Sequence, residues 1–275
     1  MANNIRTLDF ISKIGDAYFV VFNTLEIINK PNVQQFIVDT MMQGSDQLLQ
    51  ELVDKQIIYH EDPQKTRELK KEIFEQLKKS NLQKVQDYVP VLLNQNLVML
   101  CTIMEIFFLH ILETAMVVEP NTLMGLAQEK NINLQQVITL KNYDSIIEDF
   151  RLKVLDHFSR QGLKEKFKIF EKIGFDVNQI FDYSKFTSDV QDKFKNYSLD
   201  TLDQIFEKRH NIVHKNALPL KHLSELIEIK DFFEKIILNI STIVMVKYGV
   251  LLDFQDKLVQ SGFPRENIPV RQQKN

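Results

Sequence analysis

Glycine is scarce in this chain, and its scarcity excludes the folds that bind nucleotides through glycine-rich loops. Seven of the 275 residues are glycine, well under half of the roughly 7% found in average proteins. Neither a GxGxxG nor a GxxxxGK[ST] pattern occurs, and those loops cradle phosphate in Rossmann and P-loop proteins. Most segments are instead rich in Leu, Ile, Lys, Glu and Gln at helical spacing. The sequence therefore predicts an all-α protein, a multi-helix bundle of antiparallel helices.

Apolar residues at helical intervals predict nine helices, and proline or glycine lies near most of the breaks between them. The predicted ranges are about 3–29, 32–58, 64–87, 90–118, 122–130, 144–173, 187–196, 200–215 and 221–249. From this pattern we predict an N-terminal helical region at 1–88, a second domain at 89–260 and a polar tail at 261–275.

The single cysteine and the polar residues within the apolar stretches bear on where the protein is located in the cell. Cys101 is the single cysteine, so an internal disulfide or a cysteine metal cluster is impossible. Asp9 and Asp16 interrupt the first apolar residues, unlike a signal peptide, and we expect a cytoplasmic protein. The apolar stretches 91–118 and 236–252 contain internal polar or charged residues, each charge costing about 2.5–3.5 kcal/mol in a membrane. Both are predicted to be core helices, and no membrane partner is expected.

The charge distribution leaves two interpretations open. The net charge is −3, so any nucleic-acid binding must depend on a local basic cleft. Residues 65–84 and 151–172 each contain seven Lys or Arg against three acidic residues. Either run is a solvated helix face or a surface that follows phosphates.

The segment Lys208–Lys215 combines an arginine with two histidines on one predicted helix. In helical projection His210 and His214 lie together on the flank of an apolar stripe, and Arg209 falls in the middle of that stripe. The apolar members of the stripe are Leu202, Ile205, Phe206, Ile212 and Val213. A cation beside two imidazoles is suited to phosphodiester chemistry, because arginine binds phosphate oxygens and imidazole exchanges protons near neutral pH.

Arginine is almost never fully buried without a partner, and Glu105 is the best candidate for that partner. It lies in Leu97–Leu112, a stretch that is apolar almost all round, where an unpaired carboxylate would be costly. We therefore predict that Glu105 faces Arg209. Such a pair either only fixes the packing or orients the arginine toward a substrate.

These residues resemble the ribonuclease branch of the HEPN family, the higher-eukaryote and prokaryote nucleotide-binding domains. The resemblance rests on Arg209-x4-His214, the polar His210 after the arginine, the Ile-Val-His sequence and Asn216. An upstream apolar helix with a glutamate, here Glu105, also belongs to the family pattern. The resemblance covers about residues 90–250 and departs at Ala217, where many relatives have glycine. It implies that the second domain has a HEPN-like core.

The resemblance implies an endoribonuclease that uses the 2′-hydroxyl of its RNA substrate and needs no metal or other cofactor. His214 would transfer protons, Arg209 would bind the phosphate, and His210 would position the phosphate or tune the proton transfer. Glu105 would orient the arginine, and Lys215 and Asn216 would bind substrate.

Family resemblance also implies a homodimer that brings two motifs into one cleft. A role as a toxin or phage-defence effector would follow, restrained by an antitoxin or a sensor protein. The N-terminal region would then be a regulatory surface or extend the dimer contact.

Three alternatives bear on the motif. Glu207, His210 and His214 lie on one side of the helix and could bind a metal ion, although no HExxH pattern is present. The domain could instead be a catalytically silent module that binds nucleotides or a protein. Finally, Arg151 and His157 form a looser R-x5-H match, which we interpret as a decoy because Leu152 follows the arginine.

Overall fold

The computed structural model describes residues 7–28, 30–43, 45–55, 61–119, 121–122, 126 and 143–249. All regular elements in these ranges are helices, and no strand occurs among them. The helices are α1 (Thr7–Ile28), α2 (Pro31–Met41), α3 (Ser45–Asp54), α4 (Pro63–Val118), α5 (Tyr143–Arg160), α6 (Leu163–Lys172), α7 (Val177–Ile180), α8 (Ser188–Phe194), α9 (Leu199–Lys215) and α10 (Leu223–Tyr248). The all-α class is confirmed.

Helix α4 is the central element, and its length corrects the sequence-based prediction. We predicted separate helices at 64–87 and 90–118, but α4 runs for 56 residues through Pro90, about 84 Å at 1.5 Å per residue. Proline inside a helix costs about 3 kcal/mol. Tertiary packing offsets this cost, because Val85 and Leu93 on either side of the proline are buried.

Two other predicted helices are interrupted in the structure. The range 32–58 is divided into α2 and α3, and the range 144–173 is divided into α5 and α6 at Gly162, which caps α6. The short helix α7 was not predicted. The predicted helix at 122–130 and the polar tail at 261–275 lie largely or wholly outside the described residues.

The core forms where α4 meets α1 and α10, and α9 and α5 pack on the same central helix. Large side chains that are completely buried fill it, namely Phe107, Phe108, Phe158, Phe170, Phe232 and Phe233. Phe108 contacts Phe170 edge-to-face, with ring centroids 5.9 Å apart. This packing fixes the C-terminal third of α4, which contains Glu105, within the core.

One window of α4 is long and apolar enough to cross a membrane by length and composition, and half of that window is buried inside the structure. This burial favours the predicted core helix. The proposed division at residue 88 stays a prediction, and any such boundary would fall inside α4, which extends from residue 63 to 118.

Candidate active site

Helix α9 carries the arginine–histidine motif, and its ends agree with the predicted range 200–215 within one residue. The backbone N–H of Ser198 donates to Thr201 Oγ1 (3.2 Å) at the start of the helix. Buried Leu202 and Ile205 fix the helix on the core. At the other end Asn216 adopts a left-handed conformation (φ 51°), which asparagine tolerates better than most residues, and the helix stops there.

Arg209 and Glu105 face each other, as predicted. The distance from Arg209 Nη2 to Glu105 Oε2 is 3.6 Å, and both side chains are 30% exposed. This ion pair is longer than a charge-assisted hydrogen bond of about 2.7–2.9 Å. Arg209 Nε is buried and has no hydrogen-bond partner within the described part of the chain. The guanidinium is therefore held near the carboxylate but keeps hydrogen-bonding capacity.

His210 and His214 form an exposed pair beside Arg209. Their ring centroids are 4.4 Å apart with planes inclined by 41°, as expected for residues one turn apart on a helix. Both side chains are exposed, so a ligand in solution can reach the two imidazoles.

The remaining predicted residues lie at the end of α9. Lys215 and Asn216 are exposed, next in the chain to His214. The prediction for Val213 was wrong: it was placed in the apolar stripe, but it is 47% exposed. Leu202 and Ile205 are buried, and Ile212 packs partly buried against the core, so Val213 lies at the exposed edge of the stripe. The catalytic and substrate-binding roles of these residues stay predictions.

Asn94 positions the segment that follows the motif, a role that sequence analysis missed. Its side chain is completely buried and pairs in both directions with Leu220. Nδ2 donates to the Leu220 carbonyl (2.9 Å) and Oδ1 accepts from the Leu220 N–H (3.0 Å). The segment after α9 is thereby attached to α4, the helix that carries Glu105.

Lys166 is the second missed residue. Its side chain is 5% exposed, and its Nζ lies 3.6 Å from Glu105 Oε1. Lys166 lies within the basic run 151–172, where we expected either a solvated face or a phosphate-following surface. Its spacing with Leu163, Phe167 and Phe170, all buried, was the signal that could have identified it.

The structure also bears on the Arg151–His157 match and on the metal alternative. Arg151 contacts Glu113 (3.2 Å) and Glu148 (2.8 Å), and its hydrogen bond to Glu148 raises its pKa. It is thus engaged by two carboxylates, as suits a decoy. No group of three or more His, Cys, Asp or Glu arranged to hold a metal ion occurs in the ranges that the structure describes.

Comparison with known proteins gives one family. The RiboL-PSP-HEPN family model matches residues 61–246, about two thirds of the chain, and this range contains both Glu105 and the motif on α9. The comparisons with curated proteins and with solved structures give no match. HEPN domains are often ribonucleases, so the family indicates an RNA-related role. The chain belongs to the RiboL-PSP-HEPN family.

Proposed function

We propose that this protein is a metal-independent endoribonuclease. The observation that carries the proposal is the half-buried Arg209, held 3.6 Å from Glu105 beside the exposed pair of His210 and His214. A cation with free hydrogen-bonding capacity can stabilise a phosphate that gains charge during reaction, and the imidazoles can transfer protons.

The proposed reaction uses the RNA's own 2′-hydroxyl. An imidazole removes the 2′ proton, the 2′ oxygen forms a bond to phosphorus, and the bond from phosphorus to the 5′ oxygen breaks. A second imidazole, in its protonated form, gives a proton to the departing 5′ oxygen. The products are a 2′,3′-cyclic phosphate and a 5′-hydroxyl. Arg209 hydrogen-bonds the nonbridging oxygens, and His214 is the proposed proton-transfer residue.

His210 would hold the phosphate or tune the proton transfer, and Lys215 and Asn216 would contact the RNA near the end of α9. Dependence on the 2′-hydroxyl would make the protein specific for RNA over DNA.

A product-end experiment tests this function. Purified protein is incubated with single-stranded RNA of mixed sequence in EDTA, and the product ends are identified by mass spectrometry. We expect cleavage that resists the chelator, with 2′,3′-cyclic phosphate ends, and no cleavage of the matching DNA. Cleavage that stops in EDTA would indicate a metal-dependent site. Absence of cleavage would favour a silent binding module.

A homodimer completes the proposed site by bringing two copies of α9 to one cleft. It is supported by an exposed stripe on α4 next to Glu105 in helical projection. The stripe consists of Tyr88, Gln95, Met99, Thr102 and Ile106, all exposed. Successive members are 7, 4, 3 and 4 residues apart, which is close to a heptad spacing. Such spacing suits packing against a partner helix, and Met99 and Ile106 are 43% and 51% exposed.

We expect Met99→Glu to lower both the dimer fraction and the cleavage rate, because it places an unpaired charge in an apolar contact. Dimer fraction is measured by sedimentation velocity over a range of protein concentrations. Leu69→Glu is the matched control: Leu69 is partly exposed on the same helix, about 45 Å away at 1.5 Å per residue. A fully active monomer would contradict the dimeric site.

The biological setting is part of the same proposal. An enzyme that cuts RNA must be restrained, so we propose a cytoplasmic toxin or phage-defence effector that is controlled by an antitoxin or sensor protein. The N-terminal helices α1–α3 would provide the regulatory contact or extend the dimer.

A further inference from the structure

Glu105 lies between two cations of unequal exposure. Its Oε2 is 3.6 Å from Arg209 and its Oε1 is 3.6 Å from Lys166. The Arg209 side chain is 30% exposed and the Lys166 side chain 5%. One carboxylate facing two cations leaves a surplus positive charge, and the more exposed cation is the one that a ligand can reach.

The burial of the Lys166 ammonium among apolar side chains is unfavourable and needs a compensating partner. Lysine is almost never fully buried unless it is paired, and its neighbours on α6, Leu163, Phe167 and Phe170, are apolar. Burial lowers the pKa of Lys166, Glu105 opposes this shift and Arg209 adds to it. The ammonium also lies 5.7 Å from the centre of the Phe158 ring, a distance at which the ring face attracts a cation.

The consequence for Arg209 follows from the charge balance. With Glu105 alone, the guanidinium would form a neutral pair and be drawn toward the carboxylate. Because Lys166 shares that carboxylate, the three side chains together keep a net positive charge. Arg209 stays 3.6 Å from Glu105, farther than a direct hydrogen bond. The Arg209 side chain is 30% exposed, so a ligand can reach it.

We propose that Lys166 is a positioning residue of the RNA-cleaving site, acting through Glu105 so that the carboxylate neutralises Arg209 only in part and leaves it available to the phosphate. The inference rests on the proposed ribonuclease function. Lys166 itself does not touch the RNA. Its charge, rather than its shape, carries the effect.

The test compares four variants with wild type: Lys166→Met, Lys166→Arg, Glu105→Gln and the double variant Lys166→Met/Glu105→Gln. Lys164→Met is the matched control, because Lys164 lies two residues away, is exposed and pairs with Asp200 and Asp203 instead. Single-turnover cleavage of labelled single-stranded RNA gives the rate constant and the half-saturating protein concentration, and thermal melts by circular dichroism verify folding.

We expect Lys166→Met to lower the rate constant about 10- to 100-fold, while the half-saturating concentration stays within about twofold. Lys166→Arg and Lys164→Met are expected to retain the wild-type rate. In the Glu105→Gln background, Lys166→Met is expected to add little further loss, because the two residues act along one path.

Three outcomes would overturn the inference. They are an unchanged rate in folded Lys166→Met, an equal further loss in the Glu105→Gln background, and a large loss in folded Lys166→Arg. The last remains decisive if Lys166→Met does not fold. Wild-type protein that fails to cleave RNA would instead overturn the proposed function itself, so the two failures are distinguishable.

Discussion

Replacing His214 by alanine is expected to lower the rate of RNA cleavage about 10²- to 10⁴-fold, the usual contribution of a positioned proton-transfer group. His214 is exposed, so its removal creates no cavity and little change in stability is expected. The loss should therefore appear in the cleavage rate with an unchanged thermal melt. Single-turnover kinetics in EDTA measure it.

His157→Ala is the control for this prediction. His157 is exposed on α5 and lies 3.3–3.4 Å from the Gln161 side chain, away from the motif on α9. Its removal is expected to leave the cleavage rate unchanged, in keeping with the decoy interpretation of Arg151 and His157. If His214→Ala cleaves as fast as wild type, the activity belongs to another group or to a contaminating nuclease.

Replacing Asn94 by alanine is expected to lower the free energy of unfolding by about 3 kcal/mol. The substitution leaves the buried N–H and C=O of Leu220 without partners, and each unpaired buried group costs about 1–3 kcal/mol. Urea denaturation followed by circular dichroism measures the change. Because the paired segment follows α9 directly, cleavage should also fall at temperatures where the variant remains folded.

Asn96→Ala provides a matched control on the same helix. Asn96 is also buried, but it makes one hydrogen bond, from Nδ2 to the Ala17 carbonyl (2.8 Å). Its Oδ1 has no hydrogen-bond partner within the described ranges. Its removal also removes that unpaired oxygen, so we expect a loss of about 1 kcal/mol. Equal losses in both variants would contradict the importance of the two-way pairing with Leu220.

Helical periodicity predicted the fold class because most helices here bury one face and leave another exposed. Boundaries were less predictable where local preference and packing disagree. Pro90 favours a break locally, yet α4 continues through it because the flanking turns are buried. The boundary at Gly162 was also missed, since the surrounding residues continue the helical pattern across it.

The contact between Arg209 and Glu105 could be predicted because each residue is a charge in an apolar pattern, and burial demands a partner of opposite sign. Lys166 was not singled out because it lies in the basic run 151–172, and such a run has the composition of a solvated helix face. The partner of Asn94 could not be inferred. The partner is the backbone of Leu220, 126 residues away in the chain. The sequence carries no signal for it, because every residue other than proline has the same backbone N–H and C=O groups.

The uninterrupted course of α4 limits how this molecule can be shortened. A fragment starting at residue 89 would begin inside α4. It would also lose α1, whose Ile14 and Leu25 are almost completely buried. The cut would expose the apolar surface of α4 that packs against α1. Work on the second predicted domain in isolation should therefore keep the first helix together with the whole of α4.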